Sequence, residues 1–123
     1  MKRAINWFEI PVTNFDRAFK FYNTIMPDAL SEVAMPGMRY GVFPYDTEKE
    51  MIGGGIVEME GYTPGADGAV LYLNGGDDLS AQLAKVEAAG GKVIMPKTAI
   101  GDNGFMAMFL DTEGNRLAFH SMH

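Results

Sequence analysis

Residues 4–26, AINWFEIPVTNFDRAFKFYNTIM, change periodicity halfway along, and that change limits the fold more than any other feature of the chain. Before it the side chains alternate: Trp7, Glu9 and Pro11 point one way and Phe8, Ile10 and Val12 the other, as on a strand over residues 4–12. After it Phe15, Ala18, Phe19, Tyr22 and Ile25 recur at helical spacing, giving a helix over 15–26 with one apolar face. Asn14 stands at the join, where its side-chain oxygen can accept a backbone N–H of the first helical turn. Pro27 stops the helix. A strand therefore feeds directly into an amphipathic helix.

The plan then continues and recurs. Residues 30–35, 38–44 and 51–60 read as strands, with a Pro36-Gly37 turn and a charged loop at 45–50. The stretch 61–68, with Pro64, Gly65 and Asp67, is a loop and the seam of the chain. A strand at 69–74 follows, then Gly75-Gly76-Asp77-Asp78 as a turn ending in a helix cap. Leu79, Leu83 and Val86 mark a helix over 79–89, closed by Gly90-Gly91, since glycine accepts the left-handed conformation that helix ends often need. Strands at 92–97, 105–111 and 116–120 complete the chain, with a hairpin turn at 112–115. The order is strand-helix-strand-strand-strand, twice. This is an α+β chain of one domain, 1–123, with module one at about 1–60 and module two at about 68–123. One such unit cannot bury its own sheet, so it should pair with its copy. Each sheet would then keep one face on its helix and leave the other to line a shared cavity.

Composition excludes several classes. A net charge of −6 without any basic run disfavours nucleic acid. The absence of cysteine removes disulfides, thiolate nucleophiles and sulfur-bound zinc. No apolar run approaches the ~20 residues of a membrane span, and the start, Met1-Lys2-Arg3-Ala4-Ile5-Asn6, lacks a signal-peptide apolar region. The expectation is a soluble cytoplasmic protein. Gly53-Gly54-Gly55 lacks the Lys-Ser/Thr of a phosphate loop and opens no helix; it points to a bend or a close approach in a sheet. Asp111-Thr112-Glu113-Gly114-Asn115 is too short for a calcium loop. The ten methionines are dispersed and read as adaptable core filling, or else as the lining of a pliable pocket.

Four segments in order, FEIPVTNFDRAFKFY (8–22), MIGGGIVE (51–58), LAKVEAAGGKVIMP (83–96) and GFMAMFLDTEGNRLAF (104–119), resemble the vicinal oxygen chelate superfamily of glyoxalase I, extradiol dioxygenases and bleomycin-resistance proteins. The resemblance covers nearly the whole chain and implies two βαβββ modules whose mixed sheets form a cup, commonly in a homodimer. It also implies, for metal-dependent members, His or Glu at four cup-facing positions on the first and last strands of each module. Carried onto this sequence, those positions fall on Trp7, on or near Glu58, within 68–70, and on Ala118. Indole and methyl groups do not ligate, so the expectation is no metal and no cofactor.

The candidate residues follow from strand faces. Glu9 shares a face with Trp7 and is a candidate general base or orienting acceptor; the bland alternative is a solvated carboxylate. His120 shares a face with Arg116 and Ala118 and is a candidate proton carrier, although it lies near the C-terminus, where chains fray. Trp7, Tyr40, Glu58 and Tyr72 are candidate ligand-binding residues, each weighed against simple packing or exposure. His123 is the other histidine. The expected function is binding of a small, partly aromatic molecule in the cup without the family's metal. The alternative is a lyase, isomerase or dioxygenase of the glyoxalase type, metal-assisted, with Glu9 or Glu58 as base. A third possibility is an accessory subunit that holds no ligand. The substrate is not readable from the sequence.

Overall fold

The computed structural model describes residues 4–46, 48–49 and 51–123. The basic start at Met1, Lys2 and Arg3 lies outside the described residues, as do Thr47 and Glu50 of the charged loop.

Module one comprises β1 (Trp7–Pro11), α1 (Phe15–Ile25), β2 (Ser31–Met35), β3 (Met38–Val42) and β4 (Gly53–Glu58). Module two comprises β5 (Leu71–Asn74), α2 (Ser80–Leu83), β6 (Lys92–Ala99), β7 (Phe105–Leu110) and β8 (Arg116–Ser121), with a 3-10 turn at Gly101–Asn103. Each module makes one four-stranded mixed sheet, in the order β1-β4-β3-β2 for sheet A and β5-β8-β7-β6 for sheet B. In both, the first strand pairs in parallel with the last, Glu9 beside Gly55 and Tyr72 beside Ala118, and the remaining pairs are antiparallel. The fold is therefore α+β, two βαβββ modules.

Local chemistry accounts for α1. The Asn14 side chain accepts the Arg17 N–H at 3.1 Å, and the helix ends before Pro27. The second helix is shorter than its apolar spacing predicts. Leu83 and Ala84 donate four residues back, but Lys85 and Val86 donate only three back, so regular α geometry stops at Leu83. Tertiary packing still uses the stripe, because Leu79 and Val86 are both fully buried. Asp78 caps it, accepting the Ser80 N–H at 2.9 Å.

One apolar core joins the two modules. It takes Ile10, Val12, Ile56 and Phe43 from module one, Leu73, Phe109, Leu117 and Phe119 from module two, and Phe15, Ala18, Phe21, Tyr22 and Ile25 from α1. The helix serves both sheets. Gly41 of β3 lies under the Phe15 and Phe19 rings. Farther along the helix, Phe21 meets Phe109 of β7 at 6.2 Å between ring centres, and the Tyr22 hydroxyl donates to Asp111 at 2.7 Å. The sequence suggested that the opposite faces of the two sheets line one cavity. Among the described residues of the single chain, no hydrogen bond or ring contact joins those two free faces. The apolar residues of α1 run far enough round the helix to hold the helix-facing sides of both sheets, and the free faces stay open.

The β7–β8 turn locks onto the start of α1. Glu113, whose side chain is fully covered, accepts Thr13 N, Asn14 N and Thr13 Oγ1 on one oxygen and Arg17 Nε and Thr112 Oγ1 on the other, at 2.7–3.0 Å. Burial alone would raise its carboxyl; the bonds from Arg17, Asn14, Thr112 and Thr13 override that and hold it down at about 2.

Candidate functional site

The free face of sheet A carries a chain of polar contacts. Trp7 Nε1 donates to the Tyr40 hydroxyl at 2.6 Å, Tyr40 donates to Glu9 Oε2 at 2.8 Å, and Tyr62 donates to Glu9 Oε1 at 3.1 Å. Tyr45 closes one side, edge-on to Trp7 at 5.3 Å. Burial, and then the Glu9 carboxylate it donates to, push the Tyr40 hydroxyl up to about 12 against the opposing Trp7 N–H. Tyr40 therefore stays a donor across the neutral range. The Tyr62 hydroxyl is also raised, chiefly by its bond to Glu9. Both Glu9 oxygens thus already accept a proton donor, which suits an orienting acceptor better than a base. Trp7 remains 39% exposed, so one indole face is open to a molecule from outside.

Three glycines make this arrangement possible. The register sets Gly53 beside Trp7, Gly54 beside Phe8 and Gly55 beside Glu9. A Cβ on Gly53 would come within 2.6 Å of the Trp7 ring, and one on Gly55 would meet the Gly41 carbonyl and the Tyr40 ring. The close approach expected of the glycine run is an approach of aromatic rings lying flat on β4. Gly55→Ala is accordingly expected to destabilise the chain by about 1–3 kcal/mol through overpacking. It should also move the Trp7 emission as Tyr40 is displaced, which urea unfolding followed by fluorescence would register.

The other predicted site residues divide. Glu58 is a correction. It points to the side of sheet A that faces α1, and its Oε1 accepts the Phe15 N–H at 2.7 Å. The residue of β4 level with Pro11 on the free face is fully buried Val57. Glu58 also borders a shallow hollow with Arg39 and Glu60. Tyr72 and His120 lie on sheet B, on the face away from the core residues Leu117 and Phe119. Tyr72 is 54% exposed beside Ala118. His120 is held within β8, opposite Met106, rather than frayed, and its Nε2 lies 2.7 Å from the Asn103 carbonyl. A carbonyl only accepts, so Nε2 is the donor in this contact. Trp7, Glu9 and Tyr40 are thus brought together, while Tyr72 and His120 belong to a separate face.

Sequence reasoning missed Tyr62, Tyr45 and Glu113. All three sit in loops, where no periodicity marks them. No group of three or more His, Asp or Glu is placed to hold a metal ion among the described residues, and no helix of the described residues is long and apolar enough to cross a membrane.

Comparison with known proteins agrees with this architecture. Over 113 residues the chain is 31% identical to "Putative glyoxylase CFP32" of Mycobacterium bovis and of Mycobacterium tuberculosis, matching 89% of this chain and 42% of those relatives. The chain thus spans less than half the length of the curated relatives it matches. Among solved structures, a glyoxalase/bleomycin resistance protein/dioxygenase family enzyme from Burkholderia phytofirmans PsJN superposes with a TM-score of 0.69 at 19% identity, over 96% of this chain and 98% of that one. TnmS3, an antibiotic binding protein from Streptomyces sp. CB03234, gives 0.66 at 24% identity over 100% and 99%. Glyoxalase I of Leishmania major gives 0.67 at 18% over 98% and 88%. At these identities the structures establish a shared fold. The family model described as Glyoxalase/Bleomycin resistance protein/Dioxygenase superfamily matches residues 4–119, and the chain belongs to that superfamily.

Proposed function

We propose that the chain binds a small, partly aromatic molecule on the sheet-A face, without a resident metal. The observation that carries this reading is the Trp7–Tyr40–Glu9–Tyr62 chain of hydrogen bonds. It occupies the stretch of β1 where metal-dependent members of the family place a ligand. Indole offers an open ring face for stacking, Glu9 an acceptor and Tyr40 a fixed donor. The donor set also supports it: Trp7 and Ala118 stand at two of the family's ligand positions and neither side chain ligates a cation, while Glu58, the candidate for a third, is turned to the Phe15 N–H. A relative of the same fold described as an antibiotic binding protein is in keeping with binding rather than turnover. A homodimer belongs to this proposal. The edge strand β2 exposes Val33 and Met35, and β6 exposes Ile94, apolar area that a second copy would cover. Light scattering is expected to give twice the 13.5 kDa of one chain.

Trp7 is the one tryptophan of the sequence, so its emission reports on this face alone. A panel of small aromatic compounds is expected to yield binders that quench Trp7 and raise Tm together. Glu9→Gln should weaken them about tenfold, the worth of a charge-assisted hydrogen bond. Unchanged affinity in that variant removes Glu9 from the site. Stoichiometric Zn, Ni, Fe or Mn in protein purified without chelator overturns the metal-free reading in favour of a metal-assisted lyase, isomerase or dioxygenase.

A further inference from the structure

The free face of sheet B holds a cation with no counter-ion among the described residues. Three arginines lie among the described residues. Arg17 pairs with Glu113, and Arg39 with Asp16 and Glu32, while Arg116 forms no ion pair with a described residue. Its Nε is buried and has no hydrogen-bond partner. In a chain with 16 acidic and 10 basic residues, an arginine left without a carboxylate is notable. A buried N–H without an acceptor carries an unrecovered desolvation cost, which an arriving acceptor would recover.

We propose that Arg116 is an anion-binding residue, and that the molecule it takes is a small carboxylate with an apolar body. Arg116 lies on β8, alternating with the core residues Leu117 and Phe119, so it shares the free face with Ala118 and His120. Leu110 stands opposite it on β7, Met108 opposite Ala118 and Met106 opposite His120. Tyr72 lies beside Ala118 on the other flank, 54% exposed. The guanidinium fork matches the two oxygens of a carboxylate in one plane. A phosphate would leave further oxygens facing Leu110, Met108 and Ala118, which donate nothing. The methionines and Tyr72 instead offer a pliable apolar bed for the rest of the molecule. This inference concerns sheet B and does not depend on the reading of the Trp7 face.

The test uses the whole chain, labelled with nitrogen-15, and follows the Arg Nε–Hε signals, with that of Arg116 assigned through bonds to its own backbone so that no variant is required. Sodium benzoate, phenylacetate and octanoate are titrated at millimolar concentration, with benzamide and inorganic phosphate beside them. The expected result is a saturable shift of the Arg116 signal and a rise in Tm with at least one carboxylate, and neither with benzamide or phosphate. In Arg116→Lys, which keeps the charge and loses the fork, the affinity should fall about tenfold or more. The inference is overturned if benzamide or phosphate binds as well as the carboxylates, or if no carboxylate moves the Arg116 signal. A carboxylate that quenches Trp7 and leaves Arg116 unmoved overturns it while leaving the sheet-A reading intact.

Discussion

Glu113→Ala is expected to lower the unfolding free energy by about 3 kcal/mol at neutral pH, roughly the worth of losing charge-assisted hydrogen bonds from a covered carboxylate. That carboxylate holds two backbone N–H groups that open α1, the Thr13 hydroxyl, the Arg17 guanidinium and the Thr112 hydroxyl. Two of these partners are donors that α1 itself cannot satisfy, and negative charge there also meets the positive end of the helix. The pH dependence carries a second signature. The Glu113 carboxyl sits at about 2 in the folded chain, below its ordinary value of 4.5. Its stabilisation is therefore complete above about 5 and is lost as pH falls towards 2. Asp111, two residues away, runs the other way: burial raises its carboxyl, and the bonds from Tyr22 and Asn115 only partly reverse that. The stability linked to Asp111 is fullest below its ordinary value and declines as pH rises through the folded one. Comparing wild type with Glu113→Gln by urea unfolding from pH 7 to pH 2 isolates the Glu113 contribution. Parallel curves would show that the carboxylate is not what holds the hairpin to the helix.

Phe109→Ala is expected to cost about 3–5 kcal/mol, the usual range for emptying a large aromatic site in a core. Phe109 is fully buried, stacks on Phe119 at 4.8 Å and meets Phe21 of α1. It stands where the helix of module one rests on the sheet of module two, so the void opens between modules and neither can collapse alone to fill it. With total stability on the order of 5–15 kcal/mol for a domain of this kind, such a loss leaves the variant near its unfolding midpoint in mild denaturant. Phe8→Ala is the contrast: that ring is only partly buried and packs on the margin of the core, so its loss should cost distinctly less. Equal losses for the two would remove Phe109 from its place at the junction.

The sequence displayed whatever was local. The strand-to-helix change, the Asn14 cap and the Pro27 stop all act within a few residues, and β1 and α1 formed close to where the pattern put them. The glycine run was legible as a close approach, though not which rings would approach. Glu58 shows how narrow the margin is on a strand. Its period of two means that one residue of register decides between the free face and the helix side, and the pairing of Pro11 with Val57 sends Glu58 to the Phe15 N–H. Tyr62 and Glu113 were hidden for another reason. Tyr62 reaches back 53 residues to Glu9, and Glu113 reaches back 100 to Thr13, each from a loop without periodicity. Contacts of that span leave no trace in local spacing. The role of α1 as support for both sheets was hidden likewise, because a helical stripe shows that a face is apolar without saying how many neighbours share it.

The bare backbone of β4 under Trp7 and Tyr40 has a consequence for anyone who would refit this face. A chelating histidine cannot simply be written in at position 53 or 55, because its first carbon would occupy volume the neighbouring rings already hold. Conversion would have to begin on the adjacent strands, by trimming Trp7 and Tyr40 to smaller residues, and only then turn to β4. A larger side chain on this part of β4 thus waits on the prior loss of a ring from β1 or β3.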